Sequence, residues 1–175
     1  MAKSFKVVTD LVRFSYVNLF TPLPQGDGKP PKYSVALIIP KEDTKTIDEI
    51  EQAISDCKKE NMYVWGGLIP TGLRGGLRDG DLEKNDVAYS NSMFINCSAS
   101  QKPGIVYEDL RDITDPSEFY SGCYGKASVT FYAYNNSPTQ QGVGCTINNV
   151  MKIKDGERLG MSSLPVDDFK KKSFF

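Results

Sequence analysis

The chain has 175 residues, 39% hydrophobic and 25% charged, with a net charge of −1. That length supports one domain with its own core, so neither a disulfide nor a metal is needed to hold it. Histidine is absent, which removes the commonest general base, the Ser-His and Cys-His nucleophile pairs and the commonest metal ligand.

The near-neutral charge argues against a basic duplex-binding domain and confines any polyanion site to a local groove. Cys57, Cys97, Cys123 and Cys145 are far apart with no C-x-x-C pair, the pattern of small buried thiols rather than of a zinc site. No signal-peptide apolar region follows Met1, and no apolar run approaches the roughly 18 residues of a bilayer span. The expectation is a soluble, cytoplasmic chain with no membrane partner, cofactor or metal.

From the N-terminus, Lys6 to Phe20 is rich in Val, Phe, Tyr and Leu and predicts a strand. Pro22, Pro24, Gly26, Gly28, Pro30 and Pro31 break it, and the apolar run Tyr33 to Ile39, closed by Pro40, predicts its antiparallel partner. Thr46-Ile-Asp-Glu49 has capping-box spacing. Ile47, Ile50, Ala53, Ile54 and Cys57 then recur on one helical face, with Lys58 and Lys59 at the negative pole of the dipole. Residues 61–90 form a long glycine-rich loop carrying the only tryptophan. Loops of that length are uncommon unless functional or disordered. Strand patterns return at Ser92–Cys97, Ile105–Tyr107, Tyr120–Tyr134 and Val143–Val150, the last two joined by a turn at Asn135–Pro138. Along the third of these, Ala127, Val129, Phe131 and Ala133 share one face, and Ser128, Thr130, Tyr132 and Tyr134 the other. The whole predicts a mainly β, OB-fold-like five-stranded antiparallel barrel with one inserted helix and a long Gly-rich loop; an α+β sandwich would give the same periodicity. Residues 1–154 form the domain, and 155–175 an extended tail.

Tyr120, Tyr124, Tyr132 and Tyr134 suggest an aromatic row on which bases of any identity can stack, with Lys126, Arg74, Arg78, Lys102 and Arg13 beside it for phosphates. The same tyrosines also suit a plain covering of a half-buried sheet face. Trp65, followed by two glycines, suits either a stacking platform or a pin holding the loop to the barrel. Gly72-Leu-Arg-Gly-Gly76 lacks the Lys-Ser/Thr ending of a phosphate-binding P-loop. Asp79 with Asp81, or Asp109 with Asp112, could pair as carboxylates of a metal nuclease, although Asp-Gly-Asp is more often a polar turn. In the tail, Asp167, Asp168 and Phe169 make a candidate docking peptide for a partner with a basic rim and an apolar pocket.

Several segments together resemble a known family: Tyr33 to Lys41, Trp65-Gly-Gly67, Leu77 to Asp81, Phe119-Tyr-Ser-Gly-Cys-Tyr-Gly125, Asn148-Asn-Val150, Asp155 to Gly160 and Asp167-Asp-Phe169. This is a tailed-phage and prophage family, formerly catalogued as a domain of unknown function, of single-stranded DNA-binding proteins with an OB-fold core. The likeness spans roughly residues 5 to 169. It implies coating of single-stranded DNA during phage replication or recombination, without catalysis and without sequence preference. It also implies replication or recombination proteins as tail partners, and leaves a homo-oligomer open. The tail departs from acidic aromatic-ended tails in that three lysines, Lys170 to Lys172, follow its two acids. Two other readings remain: a virion structural or interaction protein with a barrel core, and the carboxylate nuclease.

Overall fold

The computed structural model describes residues 5–159. Its described strands join in one sheet: β1 (Lys6–Val8), β2 (Val12–Leu23), β3 (Lys32–Pro40), β4 (Arg78–Asp79), β5 (Ser92–Ala99), β6 (Gly104–Tyr107), β7 (Tyr124–Ser137) and β8 (Gln140–Lys154). Two helices, α1 (Thr44–Glu60) and α2 (Gly80–Glu83), are inserted between strands. Five strands close a ring in the order β7-β2-β3-β5-β8, with β8 returning to β7. Four of its pairings are antiparallel. The seam between β5 and β8 is parallel, at Ser98 opposite Thr146, so the expected antiparallel barrel closes through one parallel contact. This is the OB-type barrel; β1 extends it on β7 and β6 extends it on β8.

Period-two alternation fills the ring. Phe14 and Leu19 from β2, Val35, Leu37 and Ile39 from β3, Ile95 from β5, Ala127, Val129 and Phe131 from β7 and Ile147 from β8 are all buried in one cluster. The four cysteines are buried and free, and Cys97 and Cys145 face each other across the parallel seam with their Sγ atoms 3.4 Å apart. The N-terminal apolar stretch is two strands rather than one. Between them the Thr9 hydroxyl accepts the Ala127 N–H at 3.0 Å, holding the crossover onto β7.

α1 begins earlier than its capping-box spacing suggests. Asp43 is the N-cap, its carboxylate accepting the Thr46 N–H at 3.1 Å. Thr46 is buried, and its hydroxyl accepts the Asp10 N–H at 3.2 Å, so it ties the helix to the barrel instead of starting it. Ile50, Ile54 and Cys57 bury the predicted face.

The glycine-rich segment does not hang free. It is stitched to the barrel by Trp65, by an isolated bridge between Arg74 and Gly142, and by β4 on β5. Its far end buries Tyr89 against Ile38 and Phe94, a second small cluster on the outer face of β3 and β5. Residues 155–159 carry no helix or strand yet stay on the barrel: the Leu159 N–H donates to the Ser121 carbonyl at 2.8 Å, and Leu159 packs on the Ile38–Tyr89–Phe94 cluster. Among the described residues no helix is long and apolar enough to cross a membrane.

Candidate nucleic-acid interface

The turn at Pro138 and Thr139 fixes the register of the β7–β8 hairpin, setting Tyr132 opposite Gly144 and Tyr134 opposite Gly142. Both glycines are there for close approach. A Cβ on Gly144 would lie 2.3 Å from Cζ of Tyr132, so that ring rests on bare backbone. A Cβ on Gly142 would lie 2.2 Å from the Arg74 carbonyl oxygen. The space is filled by the glycine-rich loop itself: the Arg74 N–H donates to Gln141 and the Val143 N–H donates to Arg74, each at 3.0 Å. Arg74 is thereby fixed next to the two tyrosines, whose ring centroids are 6.1 Å apart at 46°. Tyr132 is 42% exposed. Burial, then the neighbouring Tyr134, pushes its hydroxyl above the usual phenol value, so the ring stays uncharged at neutral pH and does not repel phosphate.

These rings border an open groove of about 1070 Å³. Asn96 and Ser98 of β5 and Lys32 of β3 line it from the sheet, Lys29 and Pro30 from the β2–β3 loop, Asn136 and Gln140 from the β7–β8 hairpin, and Arg74, Gly75, Gly76 and Arg78 from the glycine-rich segment. The second and third ring strands, with the loops joining strands one to two and four to five, are the surface with which OB barrels hold oligonucleotides. Four cations line this groove and no aspartate or glutamate does, in a chain whose net charge is −1. Lys29, Lys32 and Arg74 have no carboxylate within ion-pair distance among the described residues. Arg78 is shared: its Nε donates to Glu83 at 2.8 Å, and its guanidinium lies over the Phe94 ring. A second cleft shares Lys32, Ser98 and Tyr132 and continues past Asn148 to Lys102.

The structure therefore brings together Arg74, Arg78, Tyr132 and Tyr134, and divides the remaining sequence-selected residues. Trp65 is only 9% exposed; its indole N–H donates to the Tyr134 carbonyl at 3.1 Å, while Asn135 donates to the Val64 carbonyl. It pins the loop under the hairpin, and the pin, not the platform, is what the geometry shows. Tyr120 and Tyr124 do not join the row, because eight residues of extended β7 between Tyr124 and Tyr132 span roughly 26 Å. Tyr124 is flanked by Arg13 and Lys154, and Tyr120 lies under Arg158, 4.2 Å from its ring centroid. The Arg13 guanidinium donates to the Gly122 and Glu157 carbonyls, so it anchors residues 155–159. Lys126 is exposed on the outer face of β7, opposite Met151 and well away from the groove. Asp79 and Asp81 both bond Lys41, at 2.9 and 2.8 Å, and each also accepts a backbone N–H. Asp109 bonds Arg111 within its turn. Among the described residues no group of three or more His, Cys, Asp or Glu side chains could hold a metal ion. Asp167, Asp168 and Phe169 lie outside the described residues.

The anchor around Tyr120 has a pH signature. Asp155 accepts from Lys152 at 2.7 Å and from the Tyr120 hydroxyl at 2.9 Å; the lysine first and the phenol second hold its carboxyl below the usual carboxylate value. The unfolded carboxyl titrates near about 3.9, so this stabilisation is complete above that pH and is lost as pH falls through the lower folded value. Urea melts should show Asp155→Asn less stable than the parent at pH 6, with the gap closing towards pH 3.

Lys29, Lys32, Asn96, Ser98 and Gly144 were not singled out by sequence. The one available signal was the hairpin: glycines two apart face tyrosines two apart once the turn is placed.

An OB-type barrel with aromatic rings and cations along the face that OB barrels use for oligonucleotides has the make-up of a nucleic-acid-binding class of domain. A family model described as "Enterobacter phage Enc34, ssDNA-binding protein" matches residues 5–174. The chain belongs to this family, and the resemblance carried by its sequence motifs is borne out. It is 28% identical over 159 residues to protein p50 of Acyrthosiphon pisum secondary endosymbiont phage 1, covering 87% of this chain and 85% of that one. Its fold is similar to that of the single-stranded DNA-binding protein from bacteriophage Enc34 in complex with ssDNA, with TM-score 0.77 and 24% identity over 89% of each chain. It is also similar to gp2.5, a single-stranded DNA-binding protein encoded by bacteriophage T7, with TM-score 0.62 and 16% identity over 98% of this chain and 96% of that one.

Proposed function

We propose that the chain binds single-stranded DNA without sequence preference and coats strands exposed during phage replication and recombination in the host cytoplasm. Tyr132 and Tyr134 hold bases by stacking, which every base permits; Lys29, Lys32, Arg74 and Arg78 hold phosphates. No chemical step is involved. The observation that carries this reading is the composition of the groove: an exposed and a half-buried ring with cations and no lining carboxylate, in a chain of net charge −1. Paired, stacked bases cannot offer their faces to the rings, so single strands should be preferred over duplex. Fluorescence anisotropy of labelled oligo-dT, a mixed-sequence single strand and the matching duplex tests this at moderate salt. Saturable binding to both single strands with weaker binding to duplex is expected. Equal affinity for duplex and single strand, or no saturable binding, would sink the proposal.

A further inference from the structure

β2 bulges where it leaves β7 and follows β3. There the Val17 N–H donates to the Ser121 hydroxyl at 2.9 Å and the Asn18 amide to the Tyr16 carbonyl at 3.1 Å, contacts that make no use of the Tyr16 ring. The register of β2 with β3 shifts between Ser15, opposite Ala36, and Asn18, opposite Ser34. Within the bulge Tyr16 has a φ of 50°. A bulky L-residue is a backbone outlier in this left-handed region, which glycine or asparagine occupies at lower cost. Nor does burial compensate, since the Tyr16 side chain is 62% exposed. Among the described residues its ring lies under the Lys84 ammonium, 5.1 Å from the ring centroid. Strain held on an exposed side chain is a feature of ligand-binding positions.

The bulge also lies where a bound strand would pass. Ala36 is the register partner of Ser15 on one side and of Asn96 on the other, and Asn96 lines the groove. Two strand spacings, roughly 10 Å, therefore separate the groove floor from the bulge on the same outer face. The cations continue along this route. Arg78, at the groove, lies 5.6 Å from the Phe94 ring centroid, and Lys84 lies 5.3 Å from the same centroid. Lys84 has no carboxylate within ion-pair distance among the described residues.

We propose that Tyr16 and Lys84 form a second stacking station for single-stranded DNA, the ring taking a base and the ammonium the adjoining phosphate. A strand held at Tyr132 and Tyr134 runs on past Arg78 and Lys84, the cations that lie over the Phe94 ring, and reaches Tyr16 at its other end. This inference rests on single-strand binding in the groove, and its test separates the two. Anisotropy titrations compare labelled oligo-dT of about 6 and about 16 nucleotides, within the span an OB barrel covers. The parent protein gains affinity with length. Tyr16→Ala and Tyr16→Gly lose about tenfold on the longer strand, the size of one base stack, and Tyr16→Phe keeps the gain. Tyr16→Gly is the discriminating variant: it relieves the positive φ, so its thermal midpoint does not fall while its affinity does. An undiminished gain with length in Tyr16→Gly overturns the second station and leaves groove binding standing. A lowered midpoint in Tyr16→Gly, with affinity lost only in proportion to misfolded protein, also overturns it. Failure of the parent protein to bind either oligonucleotide overturns single-strand binding itself.

Discussion

Replacing Tyr132 by alanine lowers affinity for oligo-dT by about tenfold, and replacing Tyr132 and Tyr134 together lowers it by about a hundredfold, because each base–ring stack contributes roughly 1–3 kcal/mol. Tyr132 is the more exposed of the pair and Tyr134 is half-buried. Neither substitution removes the Trp65 hydrogen bond, which goes to the main-chain carbonyl of residue 134, so the loop carrying Arg74 stays in place. Tyr132→Phe keeps the ring and should keep most of the affinity. A subtler variant isolates ring placement from ring presence. In Gly144→Ala the new methyl would lie 2.3 Å from the Tyr132 ring, which must shift; affinity falls although both tyrosines remain. Anisotropy titrations of the parent and these four variants at one salt concentration, with thermal melts to confirm folding, check all of this. Unchanged affinity in the double variant would remove the rings from the mechanism.

How far the sequence disclosed this site depended on whether its geometry is local. The core faces of β2, β3, β5, β7 and β8 were legible because period-two alternation depends only on neighbouring residues. The parallel seam between β5 and β8 was not, since alternation says which face a residue takes and nothing about which strand lies alongside. Tyr132 and Tyr134 were legible as outward residues of a strong strand. Tyr120 and Tyr124 looked continuous with them only because sequence separation hides the length of an extended strand. Trp65 was ambiguous for a chemical reason: its neighbouring glycines imply access, but an indole N–H that finds a main-chain carbonyl lets the ring go to the interior. Lys29 and Lys32 reach the groove through the pairing of β2, β3 and β5. Tyr16 depends on a bulge that exists only once that pairing is made. A chain of net charge −1 presents a cationic groove because its nearby acids are held aside: Asp79 and Asp81 are bonded to Lys41, outside the groove lining, and of these acids only Glu83 reaches a lining cation, Arg78.

That separation of charge sets the salt response. If overall charge governed binding, a chain of net charge −1 would show almost no favourable dependence on ionic strength. A groove lined by Lys29, Lys32, Arg74 and Arg78 behaves differently. Each phosphate neutralised releases counterions worth about 0.7 in the slope of log K against log salt for single strands, so four contacts give a slope of roughly −3. Between 50 and 200 mM salt the affinity should then fall by about fifty-fold. Arg74→Ala should flatten the slope by about 0.7, because no carboxylate among the described residues shares that side chain's charge. Glu83→Gln should act in the opposite sense, since it frees an Arg78 now hydrogen-bonded to Glu83: affinity rises at low salt and the slope steepens. Tyr132→Ala shifts the whole line down without changing its slope, as stacking releases no counterions. Titrations of these four proteins at five salt concentrations measure both quantities at once. Parallel lines for the parent, Arg74→Ala and Glu83→Gln would place the phosphate contacts elsewhere on the barrel. Changed slopes for these two variants, with a displaced but parallel line for Tyr132→Ala, would show backbone and bases held by separate groups within one groove.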